Sequence, residues 1–353
     1  MNVTELVVDL EALRANIATV QRAVAPAELM LVVKDDAYGH GLDRVVPTAH
    51  AAGVRWFGAF DARTGAAVRE AVGMRARVFV WLAGNRDDVE LALAEDLDVG
   101  VGDRDLLEDV AAIARLRRAV ARVHLKIDSG LHRNGVRPEE WPAFVERAAE
   151  LQTSGVVHVA GLWSHLAEAS DEEDDHARAV FDRACSQAIE AGLSPEWRHL
   201  AASAASFARP GFRQDMVRVG AFCYGIRPGG GPDETALGLR PIGSLRTRVV
   251  SVSEHGVHLA VGALDGLPSA LAGRFSVTTP AGQRVVRRID ADQTIVDPWP
   301  DSAPGQIVEV YGGLGGTTST ATDLAESIGT IGEEIAVRIS PSVPRRYVGT
   351  LPV

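Results

Sequence analysis

Short apolar runs alternate with amphipathic stretches through residues 1–230. Leu10, Leu13 and Ile17 recur at helical spacing and predict a first helix over Asp9–Val24. Apolar runs then predict eight strands, at Leu29–Val33, Trp56–Ala59, Val78–Leu82, Leu97–Val101, Val123–Ile127, Val156–Trp163, Arg198–Leu200 and Met216–Val219. Amphipathic stretches predict helices between them, among others at Ala62–Glu70, Asp105–Arg118, Glu140–Glu150 and Glu172–Ala191. This order predicts an α/β fold, a (β/α)8 TIM-like barrel.

The pattern changes after the breaker cluster Pro228–Pro232, which indicates a domain boundary. Beyond it helical periodicity mostly disappears, and strand-like alternation takes its place. The strand candidates are Ser244–Val252, Val257–Val261, Arg284–Ile289, Ile307–Tyr311 and Glu334–Ile339. We predict a barrel domain over residues 1–235 and a smaller, mainly β domain over residues 236–353. The glycine-rich run 312–316 lacks a nucleotide-binding context and predicts a loop.

The charge balance narrows the classes of partner. The chain has 36 Lys+Arg and 47 Asp+Glu residues, a net charge of −11. Nucleic acids and anionic membrane surfaces need basic patches, so we expect neither as a partner. No basic region precedes an apolar run at the start, so no signal peptide is expected. Only Cys185 and Cys223 are cysteines, which is typical of a reducing compartment and favours the cytoplasm.

Metal binding is not predicted. The acidic run at residues 171–175 falls at the start of a predicted helix, where the helix dipole favours negative charge. The ten histidines show no spacing typical of metal ligands. Solvated helix residues therefore explain the acidic run better than a metal site does.

Lysine is almost absent from the chain. Of the 36 basic residues only Lys34 and Lys126 are lysines, and all others are arginines. Arginine can replace lysine where only charge matters, but it cannot supply a deprotonatable amine. We therefore predict chemical roles for these two lysines.

Five reactive or charged side chains lie near the carboxyl ends of predicted barrel strands or just after them. They are Lys34, Lys126, His165, Ser203 and Arg218. The carboxyl ends of barrel strands form the active-site face, so these side chains are expected on one rim. An amine there can bond covalently to an aldehyde. The loops after strands seven and eight commonly bind phosphate. An aldehyde and a phosphate on one molecule indicate pyridoxal 5′-phosphate as cofactor.

Several segments resemble those of one enzyme family, the alanine racemases. The segment Val33–Gly41 is similar to the family's cofactor-lysine motif, and Lys126–Gly135 is similar to its second signature. The resemblance continues in order through Trp163–Ala167, His199–Ala205, Val217–Gly225, Arg288–Asp297 and Gly329–Tyr347. It implies a fold-type III pyridoxal-phosphate enzyme acting on an amino acid. It also implies a head-to-tail homodimer in which the partner's C-terminal domain completes each active site.

The resemblance implies roles for the residues that match by position. Lys34 would bond to the cofactor aldehyde and act as a base at the substrate α-carbon. Tyr38, Ser203 and the backbone of Gly220 would hold the phosphate.

Four further positions concern the ring and the substrate. His165 would flank the cofactor ring, and Arg218 would meet its pyridine nitrogen. Because arginine does not easily donate its proton, the ring would be a weaker electron sink, which favours reprotonation over side reactions. Arg133 would reach the cofactor phenolate and the substrate carboxylate. Lys126 matches a lysine that is carbamylated in many members, which would fix Arg133.

The chain departs from the family pattern in the small domain. The second catalytic base of alanine racemases is a tyrosine, and its position here is Ala263. A second family tyrosine is replaced by Glu333, and a methionine beside the substrate by Ala291. The asparagine before the phosphate-binding serine is Ala202. These changes predict a wider and more polar pocket that lacks half of the proton-transfer pair.

Three hypotheses remain open. The first is racemisation or epimerisation of alanine or of a larger amino acid, with a replacement acid or a single base. The candidates for that acid are Asp265, Asp290, Asp292, Glu333 and His258. The second is another pyridoxal-phosphate reaction, such as aldol cleavage, decarboxylation, elimination or cyclisation. The third is a non-enzymatic cofactor-binding protein, which the retained Arg133 and Lys126 disfavour.

Overall fold

The computed structural model describes residues 4–349 except residue 169 and residues 314–318. The strands are β1 (Glu5–Asp9), β2 (Glu28–Val32), β3 (Trp56–Asp61), β4 (Arg77–Leu82), β5 (Asp98–Val101), β6 (Ala121–Lys126), β7 (Val157–Trp163), β8 (Trp197–His199), β9 (Met216–Val219), β10 (Gly243–Ser253), β11 (Gly256–Leu259), β12 (Ser276–Thr279), β13 (Gly282–Ile289), β14 (Thr294–Val296), β15 (Ile307–Tyr311) and β16 (Arg345–Val348). The helices are α1 (Leu10–Val24), α2 (Lys34–Tyr38), α3 (Leu42–Ala51), α4 (Ala62–Val72), α5 (Arg86–Ala94), α6 (Arg104–Arg117), α7 (Trp141–Thr153), α8 (Asp171–Glu190), α9 (Ser203–Ala208), α10 (Ala321–Ile328) and α11 (Gly332–Val337).

Strands β2 to β9 pair in sequence order and close into a parallel barrel. The predicted (β/α)8 barrel is therefore confirmed, with each of the eight predicted strands in its place. These strands are rich in valine and leucine because both of their faces are covered, one by helices and one by the barrel interior. The predicted helix at the acidic run is α8, and the Ser170 side chain caps it by accepting from the backbone N–H of Glu173.

Bulky side chains fill the barrel interior. Met30, Trp56, Phe79, Trp163 and Met216 are buried against one another. Such layers of large side chains make the interior a packed core instead of a channel. Chemistry is therefore confined to the rims of the barrel.

The remaining strands form a second sheet in the order β11-β14-β13-β12-β15-β10-β1-β16. The mainly β C-terminal region is thus confirmed, but it also takes in the N-terminal strand β1. Glu5–Asp9 pairs antiparallel with β10 and parallel with β16. No strand was predicted here, although Leu6, Val7 and Val8 form a short apolar run directly before the first predicted helix.

Two compact units, called here the barrel unit and the sheet unit, divide the chain. The barrel unit comprises residues 20–34 and 53–220. The sheet unit comprises the described parts of residues 1–19, 35–52 and 221–353. Segments of the two units alternate along the chain, whereas the sequence predicts a single domain boundary at residue 235. That domain boundary stays a prediction.

The predicted strand at Glu334–Ile339 is wrong, because this segment forms helix α11. Glu333 and Glu334 lie in its first turn, where negative charge is favourable. The Thr330 hydroxyl donates to the Glu334 carboxylate and stabilises this start. Most of the glycine-rich run at 312–316 lies outside the described residues, so its loop prediction stays untested. No helix in the described part of the chain is long and apolar enough to cross a membrane.

Candidate active site

Lys34 follows β2 and begins a turn whose backbone is left-handed. The next four residues, 35–38, have φ values of 53° to 56°, the left-handed region that residues with a Cβ rarely occupy. The backbone N–H of Gly39 donates to the Asp35 carbonyl at 2.8 Å, and the Leu42 N–H donates to the Asp36 carboxylate at 2.8 Å. Strain of this kind concentrates at functional sites, where the surrounding fold maintains it.

The barrel unit brings together the predicted site residues that belong to it. Lys126 is the last residue of β6, and His165 lies two residues after β7. Ser203 begins α9 after β8, Arg218 lies in β9, and Gly220 follows β9 directly. Because the strands are parallel, their carboxyl ends share one rim with Lys34.

Arg218 is buried, with 5% of its surface exposed, and its two terminal nitrogens are saturated. Nη1 donates to the His199 carbonyl at 2.8 Å and to its Nδ1 at 3.0 Å. Nη2 donates to the carbonyls of Ser164 at 2.6 Å and Leu200 at 3.0 Å, and to His165 Nδ1 at 3.2 Å. Within the described residues no acceptor is bonded to Nε–H.

Arg218 also has no carboxylate within ion-pair distance among the described residues. Burial lowers the pKa of its guanidinium to about 9, and the charge of Glu168 only partly opposes this. A buried charge without a counter-ion is costly, so a structural role alone explains it poorly. The free Nε–H suits an uncharged acceptor such as a ring nitrogen.

His165 is half-buried, and it remains neutral above pH 4. Burial lowers its pKa to about 3, and surrounding cations add to this effect. These cations are Arg218, Arg133, Lys126 and Lys34. Because Nδ1 accepts from Arg218, the ring proton resides on Nε2. The ring is thus an uncharged surface beside a cluster of positive charge, a setting that suits an anionic aromatic ligand.

Lys126 is buried against an aromatic ring. Its Nζ lies 4.5 Å from the centre of the Trp163 ring, and the Arg218 guanidinium carbon lies 5.2 Å from the same centre. Burial, together with the charges of Arg218 and Arg133, lowers the pKa of Lys126 to about 8. No role was predicted for Trp163 from the sequence. Its place at the end of a strand, beside a predicted site residue, is the signal that could have found it.

Arg133 lies on the loop after β6 and is exposed. It makes no hydrogen bond or ion pair with any described residue. It lines a pocket of about 660 Å³ together with Asp128, His132, Arg137 and His176. A free guanidinium at a pocket can take a carboxylate in a two-pronged contact.

Ser203 starts the short helix α9. The backbone N–H groups of Ser203 and Ala204 donate to no other described residue. Exposed N–H groups at a helix start attract phosphate, and the serine hydroxyl adds a further donor. The phosphate role of Ser203 stays a prediction, and the Ala205 N–H at the same helix start donates to the Glu168 carboxylate at 3.5 Å.

Tyr38 and Ala291 belong to the sheet unit. Tyr38 is buried, and its ring centre lies 4.7 Å from that of Tyr224. Burial raises the pKa of Tyr38, so its hydroxyl remains a donor. Ala263 and Ala291 lie on adjacent exposed segments, because Ala263 N–H donates to the Asp290 carbonyl at 2.9 Å and Leu264 N–H to the Ala291 carbonyl at 2.8 Å. Two short side chains thus share one patch.

The candidate replacement acids differ in the hydrogen bonds and ion pairs that their side chains make. Asp265 accepts from the backbone N–H of Gly262 at 2.9 Å and closes its own turn. Asp290 is paired with Arg288 at 2.9 Å. His258 is held by Ser253 and Gln293 at 3.0 and 3.2 Å. Asp292 is exposed and bonded to no described residue, next to Ala291. Glu333 has partners of its own.

Comparisons with known proteins define the family. The model of the alanine racemase N-terminal domain matches residues 8–228, and that of the C-terminal domain matches residues 240–347. The chain therefore belongs to the alanine racemase family.

Individual relatives agree over the full length. An alanine racemase of Salinispora tropica is 36% identical, over 99% of both chains. One of Beutenbergia cavernae is 35% identical, over 97% of both chains. The crystal structure of alanine racemase from a D-cycloserine-producing Streptomyces lavendulae superposes with a TM-score of 0.93 at 33% identity, covering 99% of this chain and 98% of that one.

The barrel unit fits the pyridoxal phosphate on which this family depends. It offers a lysine at the rim, a helix start for phosphate, a neutral histidine ring and one unpaired Arg218 donor. The cluster of cations suits the charges of a phosphate and a carboxylate.

Proposed function

We propose that the chain is a pyridoxal-phosphate-dependent racemase or epimerase acting on an amino acid larger or more polar than alanine. Lys34, Tyr38, His165, Ser203, Arg218 and Gly220 would hold the cofactor. When bound, the cofactor withdraws electrons from the substrate α-carbon and makes its proton removable. The observation that carries the proposal is the buried Arg218, whose only free donor is Nε–H.

The chain's own side chains divide the remaining work. Lys34 removes the α-proton on one face of the substrate and returns it there. Arg133 binds the substrate carboxylate from the loop after β6. His165 is a poor base because burial lowers its pKa to about 3, so it does not compete with Lys34. Arg218 keeps its proton at neutral pH, since even its lowered pKa is about 9.

Lys126 is a candidate for carbamylation. Carbon dioxide reacts with the uncharged amine, and burial lowers the pKa of Lys126 to about 8. The product is an anion, which would relieve the repulsion from Arg218 and Arg133. We expect an added mass of about 44 Da on Lys126 in intact-protein spectra recorded under native conditions, and its loss after acid treatment.

The second face of the substrate requires another proton carrier, because alanine at position 263 cannot move a proton. We favour Asp292 for this role. Asp265 and Asp290 are engaged within the sheet unit, whereas Asp292 is exposed and unbonded beside Ala291. The short side chains at 263 and 291 support a bulkier substrate.

A second candidate function rests on the same alanine. Without a tyrosine at 263 the site could remove a proton on one face only, which suits decarboxylation, elimination, aldol cleavage or cyclisation on an amino acid. Exchange of the α-proton without change of configuration would favour this alternative.

The test is α-proton exchange in deuterium oxide over a panel of L- and D-amino acids, followed by NMR and chiral chromatography. We expect exchange with inversion for a polar or branched amino acid, and little D-alanine from L-alanine. Efficient alanine racemisation would contradict the proposed substrate. Exchange of no amino acid, with the cofactor bound, would contradict the enzymatic proposal.

We also propose a head-to-tail homodimer located in the cytoplasm, with the partner's sheet unit completing each site. Mixing a Lys34→Ala chain with an Asp292→Asn chain tests this arrangement. Random exchange would restore about a quarter of the wild-type activity, because half of the dimers would carry one intact site. Light scattering that shows only monomers would contradict the dimer.

A further inference from the structure

A line of hydrogen bonds runs through the barrel interior and ends at Arg218. Asp98 Oδ2 lies 3.1 Å from His124 Nε2, and His124 Nδ1 lies 2.8 Å from His199 Nε2. His199 Nδ1 then lies 3.0 Å from Arg218 Nη1. Asp98, His124 and His199 are each 0% exposed, so water does not interrupt the line.

The chemistry at the two ends gives every bond one direction. Arg218 can only donate, so His199 Nδ1 accepts and the proton of His199 lies on Nε2. Asp98 is ionised and can only accept, so the proton of His124 lies on its Nε2. His199 Nε2–H therefore donates to His124 Nδ1. A further proton on either ring would place two donors face to face.

Burial favours the same protonation states of the two imidazoles. It lowers the pKa of both His124 and His199, so both rings are neutral. Burial alone would raise the pKa of Asp98, but hydrogen bonds from His124 and Arg77 outweigh it and keep the carboxylate ionised. The line thus joins a buried anion to a buried cation through two neutral rings.

Packing holds the rings in place. A Cβ at Gly161 would overlap the His124 ring, so glycine on the neighbouring strand makes room for it. The His199 ring is stacked on Trp163, with 5.9 Å between centres and 6° between planes. The Phe79 ring contacts both imidazoles, at 4.8 and 5.4 Å between centres.

Asp98, at the other end of the line, lies at the start of β5, near the rim opposite to Lys34. Arg77 donates to Asp98 Oδ2 at 2.5 Å, and Arg122 donates to Asp98 Oδ1 at 2.7 Å. Arg122 is also paired with Asp96 at 2.6 Å. Asp98 is thus fixed by two arginines near the amino ends of the strands while it accepts from His124.

We infer that His124 and His199 are positioning residues that orient the Arg218 guanidinium and leave its Nε–H as the donor for the pyridine nitrogen of the cofactor. This inference rests on the proposed function. His199 occupies Nη1, and backbone carbonyls occupy Nη2, so rotation of the guanidinium would break several hydrogen bonds at once.

A matched pair of substitutions tests the inference. In His199→Gln the side-chain amide lies near the former Nε2, so contact with His124 is kept and the acceptor for Arg218 is lost. In His199→Asn the amide oxygen lies near the former Nδ1, so the Arg218 bond is kept. The probes are pyridoxal 5′-phosphate and its deaza analogue, in which CH replaces the ring nitrogen. Their dissociation constants are measured by absorbance titration of cofactor-depleted protein.

We expect His199→Gln to weaken binding of pyridoxal 5′-phosphate about tenfold relative to the analogue, as for loss of one charge-assisted hydrogen bond. His199→Asn should change this ratio less than His199→Gln does. A merely structural role would weaken both ligands equally and leave the ratio unchanged, which would overturn the inference. Thermal unfolding of each variant checks that it is folded.

Imidazole nitrogen NMR supplies a readout that needs no cofactor. Both His124 and His199 should appear as neutral rings protonated at Nε2, and His124→Gln should remove the bond that holds the His199 tautomer. Protonation of His199 at Nδ1 would overturn the inference. If the wild type binds neither ligand, the proposed function fails and the inference fails with it. If it binds both with equal affinity, only the inference fails.

Discussion

The two compact units each bury an arginine, and the two are satisfied in opposite ways. In the sheet unit Arg227 is paired with Asp323 and Glu326 at 2.7 Å and with Glu234 at 3.5 Å. The hydrogen bonds that Arg227 donates to Glu326 and Asp323 raise its pKa. In the barrel unit burial lowers the pKa of Arg218, which has only uncharged acceptors. Charged acceptors fix Arg227 within its own unit, whereas Arg218 keeps an Nε–H that is bonded to no described acceptor and can serve a ligand.

The same contrast extends to the predicted site. The barrel unit carries the lysine, histidine, serine and arginine that match the family. The sheet unit carries the shortened positions Ala263 and Ala291. Under the proposed function the division is not complete, because Tyr38 of the sheet unit would hold the phosphate and Arg133 of the barrel unit would bind the substrate carboxylate.

The largest effect is expected at Lys34 in the barrel unit. Lys34→Ala should lower α-proton exchange by about 10⁴-fold, since it removes both the covalent attachment and the base. Lys34→Arg is the control, because it keeps the charge but not the nucleophilic amine, and it should be equally inactive. Added methylamine should partly rescue only the alanine variant. Exchange above a tenth of the wild-type rate would contradict the role of Lys34.

Ala263→Tyr tests whether position 263 of the sheet unit lacks a group that can transfer a proton. Restoring a phenol at this position should raise alanine racemisation by roughly 10²–10⁴-fold, the usual contribution of a general acid or base. The measurement is D-alanine formation from L-alanine. Ala263→Phe adds the same bulk without the hydroxyl and should gain nothing. Equal rates in the two variants would show that bulk, and not proton transfer, is what this position lacks.

Arg227→Met tests the paired arginine. It should lower the free energy of unfolding by about 2 kcal/mol, because it leaves the buried Glu234 carboxylate and the exposed Asp323 and Glu326 carboxylates without their cation. Urea unfolding measures the change, and the affinity for pyridoxal phosphate should stay unaltered. Arg287→Met is the control, since Arg287 is 61% exposed and is paired with Asp297. We expect a much smaller loss there. Similar losses of unfolding free energy in the two variants would contradict the expected difference between a buried and an exposed arginine.

The smallest effect concerns the pH dependence of stability. His40 is buried in the sheet unit, and burial lowers its pKa to about 4. Between pH 6.5 and 4 the unfolded chain binds a proton at this histidine and the folded chain does not, so stability falls as the pH falls. His40→Gln should flatten this slope by up to about 1.4 kcal/mol per pH unit. His255→Gln, at an 80% exposed side chain, should leave the slope unchanged. Urea unfolding across this range measures both.

Local patterns were sufficient for the barrel. Each of its strands was predicted because a short apolar run is itself the signal of a strand covered on both faces. The scarcity of lysine pointed to Lys34 and Lys126 because only a primary amine can act as the nucleophile that the rim requires. The same approach failed at α11, where Glu334–Ile339 is too short for its periodicity to separate a helix from a strand.

Other features depend on residues distant in the chain. Nothing near Glu5 indicates that β1 pairs with β10, more than two hundred residues away. A lone histidine in a strand does not reveal that His124 and His199 connect Asp98 to Arg218. The chain's own residue types determined the barrel and the chemistry available at its rim, because these depend on local periodicity and on functional groups. Only the tertiary structure decided which donors stay free, because hydrogen bonds and burial are assigned when distant segments pack together.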